Sequence, residues 1–100
     1  MTVYADNAAT TQMSDSVLKA MMPLLTDIYG NPSSLHSVGQ IAKEHLEAAR
    51  ETVAECIGAD PKEIYFTSGG SEADNQAIRS AAYIGARKGK KHIISSKFEH

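Results

Sequence analysis

The chain has 100 residues, of which 42% are hydrophobic and 22% charged, and its formal net charge is −2. This composition is globular, and its near-neutral balance lacks the basic surface that nucleic-acid binding requires. A single cysteine, Cys56, excludes an internal disulfide and fits a reducing compartment, and no apolar stretch reaches membrane-spanning length.

The N-terminal third predicts an irregular arm, a helix and a loop. Residues 1–13 lack helical periodicity, and Asp6-Asn7 suits a turn. Ser14 is typical of an N-cap, and apolar residues at helical spacing follow it, although Pro23 should kink or divide this helix. Residues 29–36 then form a loop rich in turn-forming residues.

A second helix is predicted between a capping-box pattern at Ser37 to Gln40 and a stop at Gly58. Its buried stripe is expected to contain Ile41, Leu46, Ala49, Val53, Cys56 and Ile57. Within that stripe, Cys56 is interpreted as a structural thiol rather than a nucleophile.

The pattern of the residues after Gly58 predicts a strand, then a helix, then a second strand. One strand is expected over residues 64–67, a helix over 71–88 with a stop at Gly89, and a second strand over 92–96. Such a unit makes a parallel crossover, but a parallel sheet needs more strands, so the chain resembles the opening part of a larger α/β domain. The basic residues from Arg87 to Lys91 complement the dipole at a helix end or, alternatively, form a partner site.

The segment Thr67-Ser68-Gly69-Gly70-Ser71-Glu72-Ala73-Asp74-Asn75 joins the first of these strands to its helix. Free N–H groups and the helix dipole make such a turn an anion site, typically for phosphate. Side chains at Gly69 and Gly70 would block close approach, and Ser68 and Ser71 each offer a hydroxyl. The alternative is a turn with an ordinary N-cap; neither a P-loop nor the pattern G-x-G-x-x-G is present.

Four blocks together resemble the N-terminal part of the NifS/IscS-type cysteine desulfurases. These are pyridoxal 5'-phosphate (PLP) enzymes of the class V aminotransferase family. The blocks occur in the family's order and spacing: Tyr4-Ala5-Asp6-Asn7-Ala8-Ala9-Thr10-Thr11, Gly30-Asn31-Pro32-Ser33-Ser34-Leu35-His36, the segment from Ile64 to Asn75, and His92-Ile93-Ile94-Ser95-Ser96-Lys97-Phe98-Glu99-His100.

This resemblance implies the PLP-dependent transferase fold of type I, an α/β fold. Residues 1–13 would be an arm and active-site loop, residues 14–58 the N-terminal helices, and residues 59–100 the start of the PLP-binding large domain. Gly70 and Ser71 match the residues that bind the cofactor phosphate, where threonine is more common than serine. His100 matches the catalytic histidine that stacks on the pyridine ring and helps to move protons.

Other assignments from the resemblance concern the substrate. Asn7 and Ala8 match a loop beside the bound substrate. His36 lies near the entrance, in contact with substrate or the partner subunit, although a solvated loop histidine fits the sequence equally well. His45 and His92 are interpreted as structural, and the histidine spacing makes no metal site.

The family's remaining catalytic groups have no counterpart in these 100 residues. The Schiff-base lysine, the aspartate at the pyridine nitrogen and the sulfur-accepting cysteine all match positions beyond His100, so this portion alone should lack desulfurase activity. The complete enzyme would convert L-cysteine to L-alanine and an enzyme persulfide. It would pass sulfur to an acceptor or scaffold protein for iron–sulfur cluster or thio-cofactor assembly.

The resemblance further implies a cytoplasmic homodimer that binds neither nucleic acid nor membrane. Two alternatives stay open: a related lyase of the same fold, such as a selenocysteine lyase, and a non-catalytic interaction module that keeps the phosphate turn only as structure.

Overall fold

The computed structural model describes residues 2–98, which form three α-helices and one short 3-10 helix. The helices are α1 (Asp15–Thr26), α2 (Ser37–Ile57), the 3-10 helix (Pro61–Glu63) and α3 (Gly70–Arg87). The chain divides into two compact units, Met1–Ile64 and Tyr65–His100. Within residues 2–98, no helix combines the length and apolar character needed to cross a membrane.

Helix α1 begins as the sequence predicts and continues past its proline. Ser14 is the N-cap, and its Oγ accepts a hydrogen bond from the Val17 amide at 3.4 Å. The prediction that Pro23 divides the helix is wrong, because α1 runs unbroken to Thr26. Pro23 removes one N–H near the end of the helix, and its own carbonyl accepts from Asp27 and Ile28 at 2.9 and 2.8 Å.

The start of α2 differs from the predicted capping box. His36, not Ser37, is the N-cap, and its Nδ1 accepts from the Gly39 amide at 3.3 Å. The Gln40 side chain instead donates to the Ser34 carbonyl at 2.6 Å. Since Gln40 is engaged with the loop, it does not close a capping box, and the loop is fastened to the first turn of α2.

The C-terminal end of α2 is closed by local hydrogen bonds. Gly58 adopts the left-handed conformation (φ 67°), as predicted, and the Ala59 amide donates to the Ala54 carbonyl at 2.9 Å. Arg50 then fixes the following segment, because its guanidinium donates to the Ile64 carbonyl and to the Glu47 carboxylate.

The predicted buried stripe of α2 is wrong. Among the described residues of this helix only Gly39 and Ala54 are buried, whereas Ile57 is 68% exposed and Cys56 is also exposed. Helical periodicity identifies which face is apolar, but burial requires a second apolar surface against it. The described part of unit Met1–Ile64 supplies that surface over only a small part of α2.

Helix α3 follows the prediction closely, but the flanking strands are not confirmed within residues 2–98. Gly89 (φ 72°) lies just past the helix end, and the Lys90 amide donates to the Gly85 carbonyl at 2.8 Å. Residues 64–67 and 92–96 make no β-ladder within residues 2–98. The strand–helix–strand unit is therefore not confirmed, since a strand exists only when another strand accepts its hydrogen bonds.

Substitution of Gly39 by alanine tests the packing of the loop on α2. A Cβ there would lie 2.5 Å from the Asn31 carbonyl oxygen and 2.6 Å from Ser34 Cβ. Overpacking costs about 1 to 3 kcal/mol and should exceed the helix-propensity gain of about 1 kcal/mol. We expect a lower thermal unfolding midpoint for Gly39→Ala, whereas Glu51→Ala on the exposed face of α2 should change it little. Equal or higher stability of Gly39→Ala would contradict this packing.

Candidate functional site

The turn before α3 leaves open space beside its glycines. Gly69 is the residue preceding the helix, and its φ of 164° is extended backbone that any residue can adopt. A Cβ at Gly69 or Gly70 would meet no atom of this chain within 4 Å. The described residues therefore do not require glycine here, and the space beside both glycines is open to close approach by another group.

The first turn of α3 has backbone donors that the described residues do not use. Gly69 provides no side-chain cap, and the first helical hydrogen bond runs from the Ala73 amide to the Gly69 carbonyl at 3.1 Å. Among the described residues, the amides of Gly70, Ser71 and Glu72 have no acceptor. The positive end of the helix dipole lies at the same point, so the turn presents donors suited to a phosphate.

The carboxylate of Glu72 organises this turn, and the sequence interpretation missed it. Glu72 Oε2 accepts from both the amide and the Oγ of Ser68, each at 2.7 Å. These bonds lower the pKa of the Glu72 carboxyl. A glutamate at the third position of a helix is a signal for such a reach back toward the preceding residues. Of the two hydroxyls predicted for an anion, only that of Ser71 is left uncommitted.

Ser71 also lines a groove of about 590 Å³ between α3 and residues 93–95. Its other polar lining comes from Asp74, Asn75 and Ser95, and the apolar lining includes Ile78 and Ile93. The polar side chains on the helix belong to its first two turns, so the groove becomes apolar away from the glycine-rich turn.

The N-terminal arm holds a hydrogen-bonded turn, as predicted. The Asp6 carbonyl accepts from the Ala9 amide at 3.1 Å and from the Tyr4 hydroxyl at 3.0 Å. Asn7 and Ala8 lie at the tip of this turn, and both are exposed. The arm thus presents them on a closed loop, while their proximity to substrate stays a prediction.

Of the two histidines predicted for the site, the structure describes His36 but not His100. His36 is exposed and caps α2 through Nδ1, which makes Nε2 the nitrogen that carries the ring proton. Its contact with substrate or a partner subunit stays a prediction. His100 lies outside the described residues, so its stacking and catalytic roles also stay predictions. Within residues 2–98, no group of three or more His, Cys, Asp or Glu side chains could hold a metal ion.

The family model for aminotransferase class-V proteins matches residues 3–100. The chain belongs to the class-V aminotransferase family. It is 48% identical over 98 residues to cysteine desulfurase IscS of Methanosarcina thermophila, with 98% of this chain and 24% of the relative covered. Cysteine desulfurase IscS of Dictyoglomus turgidum (strain DSM 6724 / Z-1310) is 50% identical over 98 residues, with 98% and 25% covered.

A solved chain described as a NifS-like protein has a similar structure. The TM-score is 0.80 at 42% sequence identity, and the match covers 87% of this chain and 24% of the solved one. The class-V resemblance seen in the sequence is therefore confirmed, and the fold of the segment agrees with that family. The chain spans about a quarter of the length of the curated relatives it matches.

The Glu72 hydrogen bonds predict a pH-dependent stability. Because the pKa of the folded carboxyl is lowered, its stabilising effect is full above the ordinary carboxyl pKa and is lost as pH falls through the lowered value. In the full-length polypeptide that carries this segment, Glu72→Gln should therefore lower the thermal unfolding midpoint at neutral pH. The difference from the parent should shrink in acid.

The control for this measurement is Glu51→Gln. Glu51 is an exposed carboxylate with no hydrogen-bond partner among the described residues. It should show no comparable pH-dependent difference. A Glu72→Gln difference that stays constant from neutral to acidic pH would show that the charge of Glu72 does not stabilise the turn.

Proposed function

We propose that this chain is the N-terminal segment of a PLP-dependent cysteine desulfurase. The observation that carries the proposal is the 48–50% identity, over 98% of the chain, to relatives named cysteine desulfurase. The donor-rich turn at Gly70 and Ser71 supports it independently, because phosphate is the group that such a turn suits.

The residues of the turn fit the phosphate of PLP. A Cβ at either glycine meets open space, and Ser71 is exposed. Among the described residues, the amides of Gly70 and Ser71 have no acceptor. These groups would hold the phosphate with charge-assisted hydrogen bonds. When bound, PLP supplies an electron sink for reactions at the α-carbon of an amino acid.

Other residues of the chain have proposed roles around the cofactor. His100 would stack on the pyridine ring, and its imidazole could carry a proton near neutral pH. Asn7 and Ala8 would border the substrate from the arm, and His36 would lie near the entrance. Cys56 lies in the last turns of α2, whereas the sulfur acceptor of such an enzyme is expected on a different segment of the polypeptide.

The proposal for the complete enzyme is conversion of L-cysteine to L-alanine and an enzyme persulfide. Sulfur would pass to an acceptor or scaffold protein for iron–sulfur cluster or thio-cofactor assembly. We further propose a cytoplasmic homodimer. The single free cysteine of this segment supports the reducing compartment, and the homodimer is proposed from the family resemblance.

The direct test is turnover by the purified polypeptide that carries this segment. We expect a visible absorbance of bound PLP and equal release of alanine and transferable sulfur from L-cysteine. His100→Ala should shift that absorbance and reduce turnover by about 100-fold or more, the usual scale for a general acid–base group. Full activity of His100→Ala would reject its role. Turnover of L-selenocysteine alone would replace the desulfurase with a selenocysteine lyase.

The phosphate assignment is tested separately by Ser71→Ala. Loss of a hydrogen bond to a charged group should weaken PLP binding by about 1 to 3 kcal/mol, measured by spectral titration of the apoenzyme. Ser80→Ala is the matched control, since Ser80 is an exposed serine in the same helix. Unchanged affinity of Ser71→Ala would remove Ser71 from the phosphate site.

A further inference from the structure

We propose that Glu72 is a positioning residue for the phosphate turn: by accepting both donors of Ser68, its side chain keeps the Gly70 and Ser71 amides available to the cofactor phosphate. This inference rests on the proposed function, because it assigns a role within the same phosphate site. Glu72 itself would not touch the phosphate, since its observed partners are the two Ser68 donors.

The hydrogen bonds close residues 68–72 into a ring around the two glycines. Glu72 Oε2 receives the Ser68 amide and the Ser68 hydroxyl at 2.7 Å each. Gly69 and Gly70 have no side chains to restrain them, and glycine is the most flexible residue in the backbone. The hydrogen bonds between Ser68 and Glu72 therefore restrain the backbone of Gly69 and Gly70, two of the residues that lie between them.

A third hydrogen bond restrains the same region. Thr67 Oγ1 donates to the Gly69 carbonyl at 3.2 Å. This bond orients the Gly69 carbonyl at the start of α3 and does not involve the amides of the first helical turn. Without the Glu72 bonds, the Ser68 amide and hydroxyl would become additional free donors, and the glycines would sample other conformations.

The charge of Glu72 should act against this positioning effect. A carboxylate in the first turn of α3 repels a phosphate bound at the same helix end, whereas its acceptor geometry prepares the turn for that phosphate. Glutamine separates the two effects, because its amide oxygen can accept from Ser68 without the charge. Alanine removes both the acceptor oxygen and the negative charge.

The experiment compares PLP with pyridoxal, which lacks the phosphate, in spectral titrations of the full-length apoenzyme. The affinity for PLP divided by the affinity for pyridoxal measures how much the phosphate contributes to binding. We expect Glu72→Ala to reduce this ratio about tenfold, the scale of one lost charge-assisted hydrogen bond. Glu72→Gln should restore the ratio to within about threefold of the parent, or exceed it.

Ser68→Ala as a single substitution keeps the inference testable if Glu72→Ala folds poorly, and where Glu72→Ala folds, the two substitutions form a double-mutant cycle. Ser68→Ala removes one of the two bonds, so it should reduce the ratio less than Glu72→Ala does. In the Glu72→Ala background Ser68→Ala should have almost no further effect, because the two residues act through each other. An undiminished effect would mean that Ser68 binds the phosphate directly and would overturn the inference.

Glu63→Ala is the matched control. The Glu63 carboxylate also reaches back to a backbone amide, that of Asp60 at 2.9 Å, but at the 3-10 helix of the other unit. Its loss should leave the PLP-to-pyridoxal ratio unchanged, so a general effect of losing a carboxylate cap is excluded.

The outcomes separate the two proposals. If the parent protein binds PLP and pyridoxal equally, the phosphate site itself is wrong. If the parent prefers PLP and Glu72→Ala keeps that preference, only the positioning role is wrong. A ratio as low for Glu72→Gln as for Glu72→Ala would also overturn it, because the charge rather than the acceptor would then be essential.

Discussion

Unsatisfied hydrogen-bonding groups at helix ends organise this chain. The first amides of a helix have no partner within it and must bind something else. Ser14 supplies that partner for α1 through Oγ, and His36 supplies it for α2 through Nδ1. Helix α3 is the exception, because Gly69 has no side chain to offer. The end without a cap is the one that the class-V resemblance assigns to a phosphate.

Glu63 and Glu72 both accept hydrogen bonds from residues that precede their helices, but they bind at different positions. Glu63 closes a capping box with Asp60, so its 3-10 helix satisfies its own donors. Glu72 occupies the equivalent third position of α3 but binds one residue further back, at Ser68. The first-turn amides of α3 lack an acceptor among the described residues for another reason: Gly69, unlike Asp60, has no side chain that could accept from them. The residue that precedes a helix thus decides whether the first amides of that helix are capped by the chain or left for another group.

Features set by neighbours along the chain could be predicted from the sequence. The Ser14 cap and the left-handed glycines at 58 and 89 follow from preferences acting within a few residues. The α2 cap was mispredicted because His36 and Ser37 compete for one role and Gln40 has a nearby carbonyl to bind. The Glu72 bonds were missed because the serine–glycine pattern draws attention to hydroxyls as phosphate donors rather than as partners of a carboxylate.

Features set by distant surfaces could not be predicted in the same way. Periodicity marks Ile57 and Cys56 as part of an apolar face, yet both are exposed. Ile94, in a segment with strand composition, is 94% exposed and has no ladder partner in residues 2–98. Strand pairing and burial both need a second surface, and the described residues supply little of one. The glycine-rich turn needs no such surface, since the amides that lack an acceptor among the described residues belong to three consecutive positions, 70–72.

This difference explains why the glycine-rich turn is the proposed site that residues 2–98 form most completely. A helix end and its preceding loop form an anion site from local backbone alone, whereas ring stacking, substrate contact and sulfur transfer need residues brought together from separate segments. A single helix terminus contributes only about 0.3 to 2 kcal/mol of electrostatic attraction. Retention of a cofactor therefore requires further contacts, and in the proposed enzyme these come from residues far along the chain from Gly70 and Ser71.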